Sequence, residues 1–382
     1  MKRRITHIST VHRPFDTRIF YKECRALARA GFNVRLATTV KSAQFVEGVQ
    51  LAPLGEYGGS RMGRLMRNLR AIRYAMSPAD IIHVHDPELL LLGGVASLLG
   101  RSVVFDVHEF YYEKIGESGW IPRTLRGLMQ NLYSRVERLV IPKLAGVVVV
   151  SPQMLTHYSR LLDTCMVALV QNFPYIDREE KREALNAPRP LEESYVVHTG
   201  GASKLRAFDV VVGAAEKLRS MGCNSPIINL GEVDLSEYPL PERASLKSRA
   251  KAAGVEIVGP IPYREALRWI AHADVGYIPL EQNSNNMRGA PNKLFEYFLF
   301  GLPTVATDLG RISEIMTDTR AGILVPPADP TAHAEALRML LVDPEMRATL
   351  AANAAESSSR FSFEPEFDNL RKLYERIDDS LV

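Results

Sequence analysis

The stretch Pro291-Asn-Lys-Leu-Phe-Glu-Tyr-Phe-Leu-Phe-Gly-Leu-Pro-Thr-Val-Ala-Thr-Asp308 decides the architecture. Pro291 suits the start of a helix, Leu294, Phe295, Phe298 and Leu299 recur at helical spacing, and Gly301 is a natural cap. Leu302–Val305 then reads as a buried strand. Glu296 is the lone carboxylate on an otherwise apolar helix, held between a loop and a core strand. The residues before it, Asn285, Asn286, Gly289 and Ala290, are small or polar and let a loop approach a ligand closely. A polar-ligand site at a helix N-terminus is the expectation.

The same strand–helix alternation extends in both directions. Upstream, Arg4–Ser9, Phe32–Thr38, Val49–Leu54, Asp80–His85, Val103–Asp106, Gly146–Val150 and Val167–Gln171 read as strands. Helices Arg18–Ala30, Arg61–Met76, Pro87–Leu99, Pro122–Lys143 and Pro152–Leu162 fall between them. The pattern breaks over Pro174–Glu193, a charged and Pro-bearing spacer, and restarts with strands Tyr195–Thr199, Ile227–Leu230, Val255–Val258, Val275–Ile278, Thr304–Thr307 and Ile323–Val325. Short apolar strands alternating with helices predict parallel sheets covered on both faces. The fold class is therefore α/β, with two Rossmann-like doubly wound domains: 1–175, a linker at 176–193, 194–363, and a terminal helix at 364–382.

Of 382 residues, 46% are apolar and 24% charged, as in ordinary globular proteins. Three cysteines at unrelated spacings suggest a reducing cytoplasm. The basic start is followed by an apolar run broken by His7, Ser9, Thr10 and His12, which argues against a signal peptide. The longest apolar run, Leu89–Leu99, falls short of the about 20 residues that a membrane span needs. Residues 1–175 hold 23 Lys and Arg against 13 Asp and Glu (+10), and residues 176–382 hold 24 against 31 (−7). The halves are thus expected to face different partners.

In doubly wound sheets ligands bind beyond the carboxyl ends of the strands, and those loops here carry polar groups. Asp16 and Arg18 follow the first strand, His85 and Asp86 a later one, and His108 and Glu109 the next. In the second half, Gly200, Gly201, Lys204 and Arg206 follow one strand and Gly231 another. The glycine pair with two cations suits a phosphate, whose charge the cations offset. No Asp-x-Asp pair stands at a strand end and no His/Cys cluster has metal spacing, so transfer chemistry without a metal or other cofactor is expected.

Together these segments resemble the family 4 glycosyltransferases. The matching residues are "HRPFDTRIFYKECRALARAGFNV" at 12–34, "HVHDPELL" at 83–90, "FDVHE" at 105–109, "QNFP" at 171–174, "HTGG" at 198–201 with Arg206, and "ADVGYIPL" at 273–280. The resemblance implies a GT-B fold with two domains facing a central cleft, the last helix crossing back to the N-terminal domain. It also implies retention of anomeric configuration and a UDP-sugar or, less readily, a GDP-sugar donor. Glu296 matches the acid that binds the nucleotide ribose, Arg206 the cation on the donor diphosphate with Lys204 as helper, and His108 the histidine near the transferred sugar. Around them the donor pocket would use Gly200, Gly201, Gly231, Arg288, Gly289, Ala290, Asn292, Lys293 and Leu294. The acceptor, a carbohydrate or lipid-linked hydroxyl of bacterial cell-surface polysaccharide, glycolipid or glycoconjugate synthesis, would meet Asp16, Arg18, His85, Asp86 and Glu109.

This sequence departs from the family pattern twice. Arg288 stands where the first acid of the usual pair would be, eight residues before Glu296, and the usual basic–Gly pair reads Arg206-Ala207. Two other readings stay open: a sugar-nucleotide epimerase of the same architecture, and a catalytically silent binding partner of another transferase. The basic helix adds a surface question. Arg61, Arg64, Arg67, Arg70 and Arg73 recur every three residues beside an apolar stripe, Met62, Leu65, Met66, Leu69 and Ile72. Either this stripe packs on its own sheet, or Arg61–Arg73 docks on an anionic membrane, making the protein peripheral. No aromatic-interleaved basic motif points to nucleic acid.

Overall fold

The computed structural model describes residues 3–58, 60–118, 121–163, 166–283, 286–287 and 289–379. The chain divides into two compact units, Met1–Tyr175 with Phe363–Val382, and Ile176–Ser362.

In the first unit, eight strands form one sheet: β1 (Arg4–Ile8), β2 (Asn33–Thr38), β3 (Gln44–Val46), β4 (Val49–Pro53), β5 (Ile81–Val84), β6 (Val103–Val107), β7 (Gly146–Val149) and β8 (Val167–Leu169). Their order is β3-β4-β2-β1-β5-β6-β7-β8. All neighbours are parallel except the edge pair β3–β4. The order reverses between β1 and β5, and that crevice is where such a sheet accepts ligands. The segment after β1 begins as a π-helix, Thr17–Cys24, and continues as the α-helix Arg25–Arg29. Phe363, Leu370, Leu373, Tyr374 and Ile377 of the terminal helix Phe363–Asp379 join the core of this unit with Ile5, Ile81, Val104 and Val148.

The second unit has six parallel strands, β9 (Val196–Thr199), β10 (Ile227–Leu230), β11 (Val255–Ile257), β12 (Val275–Ile278), β13 (Thr304–Thr307) and β14 (Gly322–Val325). They run in the order β11-β10-β9-β12-β13-β14, reversing between β9 and β12. The charged spacer is a folded element. Asp177 and Glu180 form a reciprocal capping box that starts helix Arg178–Asn186. Glu183 of that helix pairs with Arg264 at 3.0 Å. Charge density there reflects a half-exposed helix, which composition alone reads as linker.

The helix of the opening stretch spans Asn292–Leu299 and buries Leu294, Phe295, Tyr297 and Phe298. It can lie close on β12 because Gly276 has no side chain. A Cβ there would come 2.4 Å from the Tyr297 ring. The Tyr297 hydroxyl then reaches β9, accepting from Thr199 N at 3.1 Å and donating to Val197 O at 3.2 Å. The helix is thereby bonded to the strand that carries the glycine turn.

Helix Arg61–Ala75 follows a different logic. It seats on the sheet through Arg67, Ala71, Tyr74 and Ala75, while Met62, Leu65, Met66, Leu69 and Ile72 are exposed. Of the two readings of this stripe, packing on its own sheet is therefore overturned. Arg67 donates to the carbonyls of Thr10, Glu56 and Gly58. Arg70 donates to Leu54 O and Arg73 to Pro53 O. Strand-end carbonyls need donors, and arginines meet that need from this helix. Among the described residues, no helix is long and apolar enough to cross a membrane.

Candidate active site

The second unit brings the donor-site residues together at the reversal between β9 and β12. Gly200 leaves β9 with φ +110°, and a Cβ there would lie 3.3 Å from Arg206 Nη1 and 3.4 Å from Lys293 Nζ. A side chain at Gly231 would strike the Gly200 carbonyl at 2.3 Å, so two glycines let the β9 and β10 turns touch. A short 3-10 turn, Lys204–Arg206, presents Arg206 half-buried and leaves Lys204 exposed. Leu205 O ties this turn to the next loop, accepting from Glu281 N and Asn286 Nδ2.

Lys293 is buried, and its Nζ has no hydrogen-bond partner. Burial, and then the charge of Arg206, hold it well below the usual lysine range. His198 on β9 gives its Nδ1 to Asn229 Oδ1 at 2.7 Å, and its buried Nε2 is likewise unpartnered. Burial and the charges of Lys293 and Arg206 push that imidazole down. Buried polar groups are nearly always bonded. The Lys293 nitrogen and the Arg206 guanidinium beside one glycine turn therefore form a cradle for an anion, while His198 Nε2, its ring proton engaged at Nδ1, is left as an acceptor. His198 was not among the residues singled out for the site; its place at the end of β9, two residues before the glycine pair, was the available signal.

Glu296 is 7% exposed and accepts from the Tyr263 hydroxyl at 2.9 Å. Leu294 is core, Asn292 and Ala290 are half-buried, and Gly289 is exposed. Arg288 lies outside the described residues. Ala207, in the basic–Gly position, has φ +46°. That left-handed conformation is what glycine adopts without strain.

In the first unit, His108 Nε2 donates to Asp106 Oδ2 at 2.9 Å. Asp106 also takes a two-pronged pair from Arg18, at 2.9 and 2.8 Å, and faces His85 Nδ1 at 3.1 Å. Burial opposes ionisation of Asp106, but the Arg18 charge outweighs it and holds the carboxyl well below the usual range. Asp16 caps the following helix through the N–H groups of Arg18 and Ile19. Burial again opposes its charge, and the His12 hydrogen bond overrides that. His12 stands over His108, with ring centroids 5.1 Å apart.

Arg18, His85 and Asp86, expected at the acceptor, are buried and engaged inside the unit, where they position His108 and the loop at Thr10. The pattern of strand-end polar residues located them correctly but could not show which pointed inward. Glu109, paired with Lys114, is accessible.

Two family models match the chain: "Glycosyl transferase 4-like domain" over residues 17–164 and "Glycosyl transferases group 1" over residues 193–343. A D-inositol 3-phosphate glycosyltransferase of Jonesia denitrificans is 26% identical over 207 residues, which is 53% of this chain and 48% of that protein. The match thus spans about half the length of that curated relative. Sucrose-phosphate synthase from Thermosynechococcus elongatus superposes with a TM-score of 0.70 at 18% identity, covering 99% of this chain and 100% of that one. Anabaena Alr3699/HepE in complex with UDP gives 0.64 at 15% identity, covering 98% and 100%. These likenesses show the GT-B fold.

Proposed function

The chain belongs to the family 4 glycosyltransferases, and we propose that it moves a sugar, with retention, from a nucleoside diphosphate sugar to an acceptor hydroxyl. The observation that carries this is the cradle of Arg206 and Lys293 on the Gly200-Gly201 turn, beside the Glu296 carboxylate. A diphosphate supplies the acceptor that Lys293 lacks, and it leaves with the charge that Lys293 and Arg206 offset. Glu296 can accept two vicinal ribose hydroxyls while Tyr263 holds it still. Among the described residues no side chain stands out as a nucleophile, which favours front-face transfer with the leaving diphosphate assisting deprotonation of the acceptor. The metal-free route rests on this supply of nitrogen donors. In the first unit, His108 is held in place by Asp106.

UDP is the proposed nucleotide, in keeping with the UDP bound by the Anabaena neighbour. A thermal-shift panel of UDP, GDP, ADP and their sugars tests it. UDP should raise the melting temperature, and Glu296→Ala should remove that rise. A Glu296→Ala protein that UDP stabilises as before would overturn the assignment. Release of free nucleotide with and without a membrane extract then separates transfer from acceptor-independent chemistry.

The acceptor is proposed to be lipid-linked and reached at an anionic bilayer surface. Three helices that pack side by side, Arg61–Ala75, Leu90–Leu98 and Arg123–Val140, each turn an apolar stripe outward. Leu65 and Leu69, Leu91 and Val95, and Leu128 and Leu132 are all more than half exposed. Exposed arginines, among them Arg64, Arg123, Arg135 and Arg138, flank the stripes. Insertion of these leucines between headgroups, with arginines on the phosphates, fits this chemistry. Leu65→Ser with Leu128→Ser should abolish binding to vesicles containing an anionic phospholipid and leave melting unchanged. Retained binding would remove the bilayer from the proposal.

A further inference from the structure

We propose that the first unit holds a structural divalent ion of the zinc class in a buried site formed by His7, His83, His85 and Glu23. Side chains two apart on a strand share a face. His83 on β5 and His85 just after it therefore point to one side, and His7 sits opposite His83 in the parallel β1–β5 register. Glu23 descends on them from the π-helical segment. All four side chains are completely buried. Their potential ligand atoms, one from each residue, lie within 4.8 Å of one another.

Known separations fit a tetrahedral centre. His7 Nδ1 is 2.9 Å from His85 Nε2, and Glu23 Oε2 is 3.9 Å and 4.0 Å from those two atoms. These bracket the about 3.3 Å expected between ligand atoms held tetrahedrally at about 2.0–2.1 Å from zinc. The far sides of two rings are arranged as metal-bound imidazoles require, with the second nitrogen fixed by a hydrogen bond. His85 Nδ1 faces Asp106 Oδ2 at 3.1 Å, and His83 Nδ1 faces the Tyr374 hydroxyl at 2.7 Å. Each leaves Nε2 for the cluster.

Without an ion the cluster is poorly satisfied. His7 Nδ1 and His85 Nε2 have only each other as a hydrogen-bond partner at the cluster, and His83 Nε2 and both Glu23 oxygens are buried with none. Arg18 Nε lies 3.2 Å from Glu23 Oε1, an ion pair that leaves Oε2 turned to the histidines. Imidazole and carboxylate ligands in a four-coordinate cage select zinc among common divalent ions. The ion would tie β1, β5, the first helix and, through Tyr374, the terminal helix into one unit. It would also steady Asp106, which the cluster shares with His108. This proposal stands independently of the proposed transfer reaction.

The test uses the full, untagged chain purified without chelators. Atomic emission should find about one zinc per chain after dialysis, and chelation by dipicolinate should lower the melting temperature, with zinc restoring it. Refilling with Co2+ should give the visible absorption of a tetrahedral nitrogen–oxygen site. His83→Ala should lose most of the zinc, whereas His333→Ala, which removes a buried imidazole from the second unit, should keep it. Should His83→Ala not fold, the Co2+ spectrum of the unaltered chain decides. A folded chain with no bound zinc and no thermal response to added zinc overturns the proposal. So does zinc that His83→Ala retains in full, which would be an adventitious ion only.

Discussion

Helix Asn292–Leu299 and helix Arg61–Ala75 both carry an apolar stripe at helical spacing, yet they bury opposite kinds of surface. The first sinks Leu294, Phe295 and Phe298 into its unit and keeps its charged groups, Lys293 and Glu296, at the strand ends. The second sinks Arg67 with Ala71 and Ala75 and leaves its leucines and methionines outside. The difference lies in what each sheet offers. Beneath Arg67 are three backbone carbonyls without strand partners, and one guanidinium answers all three. Phe298 instead packs beside the rings of Phe295 and Phe361, with centroids 6.5 and 5.9 Å away. An outward apolar stripe that the molecule does not use for packing is then available for a partner.

Mutation distinguishes the two helices. Phe298→Ala should lower stability by about 3–5 kcal/mol in denaturant unfolding, because a fully buried ring is lost. Leu69→Ser, an equally apolar position in the pattern, should change it by less than about 0.5 kcal/mol. Equal losses at the two sites would show that the stripe of helix Arg61–Ala75 is packed after all. Arg67→Met should cost about 2–4 kcal/mol by leaving buried carbonyls unpaired. A neutral result there would mean water replaces the guanidinium.

The charged ends of the first helix sharpen the contrast. Lys293 is held below its usual range in the free protein. A bound diphosphate favours its charged form, so UDP should bind with proton uptake. Affinity should fall as pH rises from the depressed value in the free protein towards the raised value in the complex. Titration calorimetry in two buffers of different ionisation heat measures that uptake, and Lys293→Gln should abolish it. A small effect of opposite sign is expected at Ala207. Ala207→Gly should stabilise the fold by about 0.5–1 kcal/mol, since the left-handed backbone strain exceeds the added chain entropy of glycine.

Much of the site was legible. The glycine pair and Arg206 stand after a strand, where doubly wound sheets place ligands, Glu296 is the lone carboxylate of the helix that follows a strand-end loop, and the parallel sheets follow from the alternation of elements. His198 escaped because a histidine inside a strand reads as core until its second nitrogen is seen to lack a partner. Arg18 and His85 read as ligand contacts for the converse reason. Polar residues after a strand face either solvent or the neighbouring strand, and only the packed Asp106 carboxylate shows which.

The apolar spacing in Pro291–Asp308 and its many counterparts determined two parallel α/β sheets, because a strand buried on both faces and a helix covering it leave distinct periodicities. Periodicity repeats whichever way a helix is turned, however. Only tertiary structure decided that Arg67 points in and Leu69 out, that four buried groups from β1, β5 and the first helix meet, and that Lys293 is left unpartnered beside Gly200. Those outcomes depend on which backbone carbonyls and which neighbouring charges lie beneath each side chain. They come from segments as far apart in the chain as Thr10 and Arg67, or His83 and Tyr374, whose proximity exists only once the sheets have formed.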